Sequence, residues 1–164
     1  MIYTSSYDNC NIDKYKTYSI SGDSGKRVNY KGDSYSKLAP RWSFWKIWYD
    51  NIGIINEEDN NKYYIREYCN QVLSHLDPKE IYKELDNSVL LCYEPNTEFC
   101  HRHIVAAWFE LTLGIKVPEI KSYNNKVEEI CRPKYIKEYL IEELKSDLNL
   151  LDCNELSKVK TLNR

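Results

Sequence analysis

The sequence has no apolar stretch long enough to span a membrane, and its amino terminus lacks the basic and then apolar layout of a secretion signal. It also has no excess of charge of either sign, because 23 basic side chains stand against 25 acidic ones. A general attraction to nucleic acid or to an anionic membrane is therefore excluded, and any such binding must come from a local patch. We expect a cytoplasmic protein without a membrane partner.

Cysteine pairs of the Cys-x-x-Cys type are absent, although the chain has six cysteines. This absence argues against a zinc ribbon and against a thioredoxin-type redox motif. In a reducing cytosol the six thiols are expected to be free. Glycine is scarce as well, at five residues, whereas fifteen tyrosines and four tryptophans give a high aromatic content that suits core packing or stacking on bases.

The segment from Val89 to His103 predicts a ligand-binding site. The apolar stretch Val89–Cys92 leads to Glu94, and after a polar loop residues 100–103 (Cys-His-Arg-His) open a periodic apolar run that ends before Gly114. The first turn of a helix has unpaired N–H groups and the positive end of the helix dipole, so it attracts anions. Arg102 adds a planar cation that matches phosphate or carboxylate.

This segment resembles the bacterial DUF488 family (domain of unknown function 488), whose members carry a strand ending in Cys-x-Glu and then a Cys-His-Arg helix start. Other segments that are similar to one branch of the family are, in chain order, Ile2–Tyr7, Ser19–Ser21, Leu38–Pro40, Tyr63–Ile65 and Leu76–Pro78. The resemblance covers roughly residues 1–120. It implies an α/β domain, but no settled activity.

The pattern of apolar residues predicts a three-layer α/β sandwich with a small, mainly parallel sheet flanked by helices. The predicted strands are residues 2–7, 17–20 and 89–92, and residues 117–120 are expected to form a short strand or an extended turn. The predicted helices are residues 42–49, 62–76, 101–113 and 134–151, with a further short helix that starts at Asp77-Pro78. Residues 21–36 are expected to form a long loop that is functional or disordered, and residues 56–61 a shorter one.

We expect one α/β domain, DUF488-like over residues 1–120, and a C-terminal tail of linker and amphipathic helix over residues 121–164. In that tail, residues 124–129 are expected to be a linker. The amphipathic helix after it is expected to pack on the same domain or on a second copy of the chain, which would make a homodimer.

Cys100 is a candidate nucleophile, because a thiol beside imidazoles and Arg102 at a helix start has its thiolate favoured. The alternative is that Cys92 and Cys100 are small apolar residues that pack the strand against the helix. Glu94 is a candidate general base, a ribose acceptor or the ion-pair partner of Arg102. His101 is expected to be a neutral imidazole that hydrogen-bonds a ligand.

The hydroxyls of Thr4, Ser5 and Ser6 join the same site if the first strand lies beside the strand Val89–Cys92. The candidate ligand-binding residues are therefore Thr4, Ser5, Ser6, Arg41, Glu94, Cys100, His101, Arg102 and His103. We expect no metal ion and no other cofactor, since Cys92 lies in an apolar strand, its eight-residue separation from Cys100 is no recognised zinc pattern, and no second ligand pair follows.

Aromatic residues at positions 42, 45, 48 and 49 recur at helical spacing and are expected to share one face. That helix either faces the core or forms an aromatic wall on which a base stacks. Residues 22–27 contain Gly-Asp-Ser-Gly-Lys-Arg, which lacks the spacing of a phosphate loop and has Arg27 where the Ser or Thr would stand.

Three functions follow as hypotheses. The first is a protein that binds, and so sequesters, a nucleotide or another phosphate-bearing small molecule. The second is an enzyme that acts on a nucleotide or nucleic acid, with Glu94 or His101 as base and Cys100 as nucleophile. The third is a nucleic-acid-binding module with a local basic patch made of Lys26, Arg27, Lys31, Lys37 and Arg41.

Overall fold

A computed structural model describes residues 1–11, 13–124 and 126–148 of the chain. Its six strands, β1 to β6, are Tyr3–Ser6, Thr17–Ser19, Asp33–Ser34, Val89–Cys92, Glu119–Tyr123 and Lys126–Ile130. They form one sheet in the order β3-β2-β4-β1-β5-β6, in which β6 pairs antiparallel with β5 and every other pair is parallel. The prediction of an α/β sandwich with a mainly parallel sheet is confirmed.

The five helices, α1 to α5, are Trp42–Asp50, Glu57–Gln71, Pro78–Leu85, His101–Leu113 and Lys134–Leu148. Local sequence explains their ends. The Asp77 carboxylate accepts the N–H groups of Lys79 and Glu80 at the start of α3, where Pro78 is the first helical residue. Gly114 ends α4 in the left-handed conformation, with φ of 64°, as its position in the sequence predicts. No helix in the described part of the chain has the length and apolar character to cross a membrane.

The central strand β4 is buried on both faces and separates two apolar clusters. Leu90 points to the face that the helices cover. Val89 and Leu91 point to the other face, which is covered by a thinner layer that includes Cys10 and Tyr30. Burial on both faces is typical of a parallel sheet and explains why this strand is a continuous apolar run in the sequence.

Two of the loop predictions are wrong. Residues 57–61 belong to α2, because Asn56 caps this helix by accepting the N–H of Asp59, and the acidic residues of its first turn suit the helix dipole. The expected linker at residues 124–129 is largely the edge strand β6, whose residues 126–129 are exposed. A strand without a buried face has no apolar alternation by which the sequence reveals it.

The segment 21–36 is a string of tight turns rather than an open loop. It contains the 3₁₀ turns Lys26–Val28 and Ser36–Leu38 and the short strand β3. Gly25 has φ of 78°, and a Cβ there would lie 2.6 Å from the Cβ of Tyr30 and 2.9 Å from the hydroxyl of Tyr7. Only glycine fits at this position, so the path of the segment beside β2 depends on it.

The sheet and its helical cover continue past residue 120, through β5, β6 and α5. Helix α5 packs against α2 and α4 of the same chain, and it buries Ile136 and Leu140. Lys137 donates to Glu110 at 2.9 Å across this contact. The apolar stripe predicted for the tail therefore has a partner within the chain, as far as Leu144. The expected continuation of the helix to residue 151 lies outside the described residues.

Candidate functional site

A pocket of about 360 Å³ opens at the carboxyl ends of β2 and β4, two neighbouring parallel strands. This is the edge of a parallel sheet at which α/β proteins bind ligands. The residues that line it are Ser21, Gly22, Asp23, Arg27, Pro40, Trp42, Trp45, Cys92, Tyr93, Glu94 and His101. They come from the ends of both strands, the segment 21–27, and the starts of α1 and α4.

A thiol, an imidazole and a carboxyl group meet in this pocket. The Sγ of Cys92, the last residue of β4, lies 3.4 Å from the Oε2 of Glu94 and 3.8 Å from the Nδ1 of His101. The Nε2 of His101 lies 2.8 Å from the carbonyl oxygen of Ile20. A carbonyl only accepts, so Nε2 carries a hydrogen and the imidazole is held with Nδ1 toward the sulfur.

A second thiol stands behind this group. The potential ligand atoms of Cys92, Cys100 and His101 all lie within 4.8 Å of one another, and all three residues are buried. Burial opposes ionisation of Cys100, but the hydrogen bond from Cys92 and the charge of Arg102 outweigh it and lower the pKa of Cys100 well below its usual value. Burial and the thiol of Cys100 raise the pKa of Cys92. The pair therefore shares a single negative charge.

Glu94 has an environment that suits proton transfer at neutral pH. Burial, and next the negative charge on Cys100, raise the pKa of Glu94 to about 7. Burial disfavours the protonated imidazole of His101, yet Cys100 and Glu94 together raise the pKa of His101. A carboxyl group that titrates near pH 7 is suited to act as an acid in one step and as a base in another.

The rim of the pocket carries one cation that is held in place by an aromatic ring. The guanidinium of Arg27 lies 3.9 Å from the ring centre of Tyr93 and 3.6 Å from the carboxylate of Asp23. The Tyr93 hydroxyl donates to both oxygens of Asp23, at 2.7 and 2.8 Å. The Arg27 side chain is still two-thirds exposed, so it is accessible to an anionic ligand.

One wall of the pocket is aromatic. The ring of Trp45 stacks on Trp42 at 5.2 Å on one side and on Tyr49 at 4.9 Å on the other. Trp42 is 67% exposed, an unusual state for so large an apolar side chain. Trp48 lies on the core side of α1 against Tyr64, so the predicted aromatic face holds three of its four rings.

Arg102 and His103 lie in a separate, buried cluster. The Nε and Nη2 of Arg102 donate to the Oε1 of Glu119 at 3.1 and 3.0 Å. Thr4 donates its hydroxyl to the same carboxylate at 2.6 Å and accepts from Arg132 at 3.0 Å. Glu94 is therefore not the ion-pair partner of Arg102. Glu119 contacts the side chains of Arg102, His103 and Thr4, and none of the three lines the pocket. The expected contact of these residues with a ligand stays a prediction.

The predicted adjacency of the first strand and β4 is confirmed, since Ser6 stands opposite Cys92 in parallel register. The hydroxyls do not line the pocket, however. Ser5 donates to the carbonyl of Ile120 at 2.7 Å, and Ser6 accepts the N–H of Asn9. Arg41 precedes α1 and is exposed beside the pocket without lining it.

Among the candidate residues, the pocket thus brings together Glu94 and His101, with Cys100 behind them. Three further residues that line the pocket, Ser21, Asp23 and Tyr93, are not predicted as site residues by the sequence, and Cys92 is predicted only as a packing residue. The signal for Cys92 was its place at the end of a buried strand. Asp23 and Tyr93 gave no local signal, because their contact joins segments 70 residues apart.

A model of a known protein family matches most of the chain. Residues 12–113, which include the pocket-lining residues and α4, match the family model DUF488-N3a, described as the active DUF488-N3 subclade. No curated protein and no solved structure matches the chain. Because the matched region is more than half of the chain, the protein belongs to the DUF488 family, in its active DUF488-N3 subclade.

Proposed function

We propose that the protein is an enzyme that acts on a nucleotide, or on another phosphate-bearing ligand with a flat ring, through the thiol of Cys92. The observation that carries this proposal is the meeting of Cys92, His101 and Glu94 in one pocket, with distances of 3.4 and 3.8 Å from the sulfur to the carboxylate and the imidazole. A nucleophile with a base and an acid within reach is the minimal set for covalent catalysis.

The proposed nucleophile is Cys92 rather than Cys100, because the pocket is lined by Cys92 and, among the described residues, not by Cys100. Cys100 has the lower pKa of the two and bears the shared negative charge in the resting state. Cys100 and His101 are thus placed to take the proton of Cys92 as its sulfur attacks.

The reaction would proceed in two steps. In the first, a bond forms between the Cys92 sulfur and a phosphorus or sugar carbon of the ligand, and the bond to the leaving group breaks. The proton of Cys92 passes to Cys100 or His101, and protonated Glu94 gives its proton to the leaving group. In the second, Glu94 as carboxylate takes a proton from water, the water oxygen bonds to the same phosphorus or carbon, and the bond to the Cys92 sulfur breaks. The proton held by Cys100 or His101 returns to Cys92, so the thiol is restored and Glu94 is again protonated.

The walls of the pocket favour a ligand of this class. Trp42 is exposed at the pocket, where its ring offers a stacking surface for a base. Arg27 supplies a cation at the rim for a phosphate. The pocket volume of about 360 Å³ is in the range of small-molecule sites. The family description, which names its subclade as active, also favours an enzyme over a protein that only sequesters its ligand.

Turnover of a nucleotide panel tests the proposal. The protein, kept reduced and free of metal by a chelator, is incubated with mono-, di- and cyclic nucleotides, NAD-related compounds and short oligonucleotides, and the products are separated by chromatography. We expect one class to be converted, and the Cys92→Ser variant to lose this conversion. Cys131→Ser is the matched control, because Cys131 is an exposed thiol away from the pocket. Full conversion by Cys92→Ser would overturn the proposed mechanism, and binding without conversion would leave a sequestering protein.

A further inference from the structure

The cluster of Cys92, Cys100 and His101 has the composition of a zinc site. Thiolate and imidazole are the ligands that Zn²⁺ prefers, and the three potential ligand atoms lie within 4.8 Å of one another. We propose that these three side chains bind one Zn²⁺ ion, whose fourth position is open to water or to the Glu94 carboxylate beside Cys92, and that the metal-bound and catalytically competent states of Cys92 exclude each other.

Distances in the cluster match the geometry of a tetrahedral site. Zn–S bonds of about 2.3 Å and Zn–N or Zn–O bonds of about 2.1 Å place a sulfur about 3.5 to 3.6 Å from the nitrogen or oxygen of a neighbouring ligand. The structure has 3.8 Å between the Cys92 sulfur and the His101 Nδ1, and 3.4 Å between the same sulfur and the Glu94 carboxylate. Both distances from the Cys92 sulfur are therefore within about 0.2 Å of the value for a tetrahedral zinc site.

The imidazole is oriented as metal-binding histidines are. Its Nε2–H donates to the backbone carbonyl of Ile20 at 2.8 Å, so the ring is fixed and Nδ1 is the atom presented to the two thiols. A hydrogen bond of this kind from the second ring nitrogen to a carbonyl is the usual support of a histidine ligand. His103 is enclosed with Glu119 and does not belong to the cluster.

The spacing in the sequence argued against a metal because eight residues separate the two cysteines and no second ligand pair follows. The fold supplies what that spacing lacks. Cys92 is the last residue of β4, and Cys100 is the residue that precedes α4, so the intervening loop returns the second thiol to the first. His101 then adds its ring from the first position of the helix.

The expected consequence is reversible inhibition by zinc. Binding requires both sulfurs as thiolates and the imidazole as a neutral ligand, so the metal displaces the protons that the proposed reaction moves. When the Cys92 sulfur binds Zn²⁺, it donates to the metal the electron pair with which it would attack the nucleotide. The inhibition rests on the proposed function, whereas the zinc site itself does not, because metal binding is measured without any nucleotide.

Titration of the reduced, chelator-treated protein with Co²⁺, followed by displacement with Zn²⁺, tests the inference. We expect one equivalent of Co²⁺ to give the intense visible and near-ultraviolet bands of tetrahedral thiolate coordination. These bands should be lost in Cys100→Ser and His101→Gln, and retained in Cys131→Ser. Glu94→Gln should keep the bands and weaken the affinity. Circular dichroism of each variant shows whether it is folded.

Alkylation gives a second, independent measurement. One equivalent of Zn²⁺ should slow the reaction of Cys92 with iodoacetamide at least tenfold in the unmodified chain, as read from the mass of the peptide that contains Cys92. Alkylation of Cys131 in the same sample is the internal control and should be unchanged. A Co²⁺ spectrum without thiolate bands, or bands that persist in folded Cys100→Ser, would overturn the zinc site whatever the outcome with nucleotides.

Discussion

Arg102 and Glu119 form an ion pair in which both side chains are fully buried and two guanidinium nitrogens donate to one carboxylate oxygen. The pair joins α4 to β5 and so fixes the position of α4. His101 is the first residue of this helix, and Cys100 immediately precedes it. The cation also lowers the pKa of Cys100 through its charge. Arg102 is thus placed to stabilise, through Glu119, the helix that supplies His101 to the pocket.

Arg102→Met should destabilise the protein by roughly 3–5 kcal/mol, because it leaves the Glu119 carboxylate buried without its cation. The double variant Arg102→Met/Glu119→Leu should recover a large part of this loss, since neither charge then remains unpaired. Urea unfolding measures both effects, with Arg66→Met, at an exposed ion pair, as the control. Equal losses in the single and double variants would contradict the ion-pair account.

His103 should make the protein sensitive to acid. Burial, and next the charge of Arg102, lower the pKa of His103 to about 3, whereas an unfolded chain has a histidine pKa near 6.5. The unfolded state therefore binds more protons between these values, and the free energy of unfolding should fall by roughly 1.4 kcal/mol per pH unit as the pH drops below 6.5.

Urea unfolding at a series of pH values measures this effect. His103→Leu should flatten the slope between pH 6.5 and 4, and His75→Leu, at an exposed histidine, should not. Parallel slopes in the unmodified chain and in His103→Leu would show that carboxyl groups elsewhere account for the acid sensitivity.

Glu94 should control the reactivity of Cys92 in a pH-dependent way. With a pKa of about 7, the Glu94 carboxyl is charged above that pH, and its charge then opposes ionisation of Cys92. Glu94→Gln should therefore speed iodoacetamide alkylation of Cys92 several-fold above pH 7, with the difference fading below pH 7. The same variant should slow nucleotide turnover, because the acid for the leaving group is lost. Glu98→Gln, at an exposed residue of the same loop, is the control; slower alkylation in Glu94→Gln would contradict the proposed role.

Trp42 should bind the flat ring of the ligand. Trp42→Ala should raise the dissociation constant of any nucleotide found in the screen about tenfold, in keeping with stacking energies of roughly 1–3 kcal/mol per base. Isothermal titration of the Cys92→Ser variant, which binds without reacting, isolates this effect. Ile47→Ala removes a half-exposed side chain of the same helix that does not line the pocket, and it should leave the affinity unchanged. If the two substitutions act equally, the stacking surface is elsewhere.

Local patterns in the sequence were sufficient to predict the layers of the fold. The buried strand β4, the helix that begins at His101 and the stop at Gly114 each have a signal within a few residues. The edge strand β6 has no buried face and so no such signal. The start of helix α2 was predicted too late because its first turn is polar and has no apolar periodicity. That turn is stabilised by the Asn56 cap and by the helix dipole.

The site was harder to predict because its contacts are not local. The position of Arg102 at a helix start pointed to an anion ligand, but Glu119, 17 residues further on, meets its side chain in the core. Cys92 was not predicted as a site residue because it belongs to an apolar strand. The last residue of a parallel strand nevertheless lies at the carboxyl edge of the sheet, where α/β proteins bind ligands. The aromatic face of α1 was predictable from spacing, whereas its closeness to β4 depends on the whole fold.

The mass of the protein after a rapid quench with the converted nucleotide is the measurement that tests the central claim most directly. The account predicts a covalent adduct on the peptide that contains Cys92, and none in the Cys92→Ser variant. An adduct on Cys100 with none on Cys92, or steady conversion without any adduct on either thiol, would contradict the assignment of Cys92 as the nucleophile.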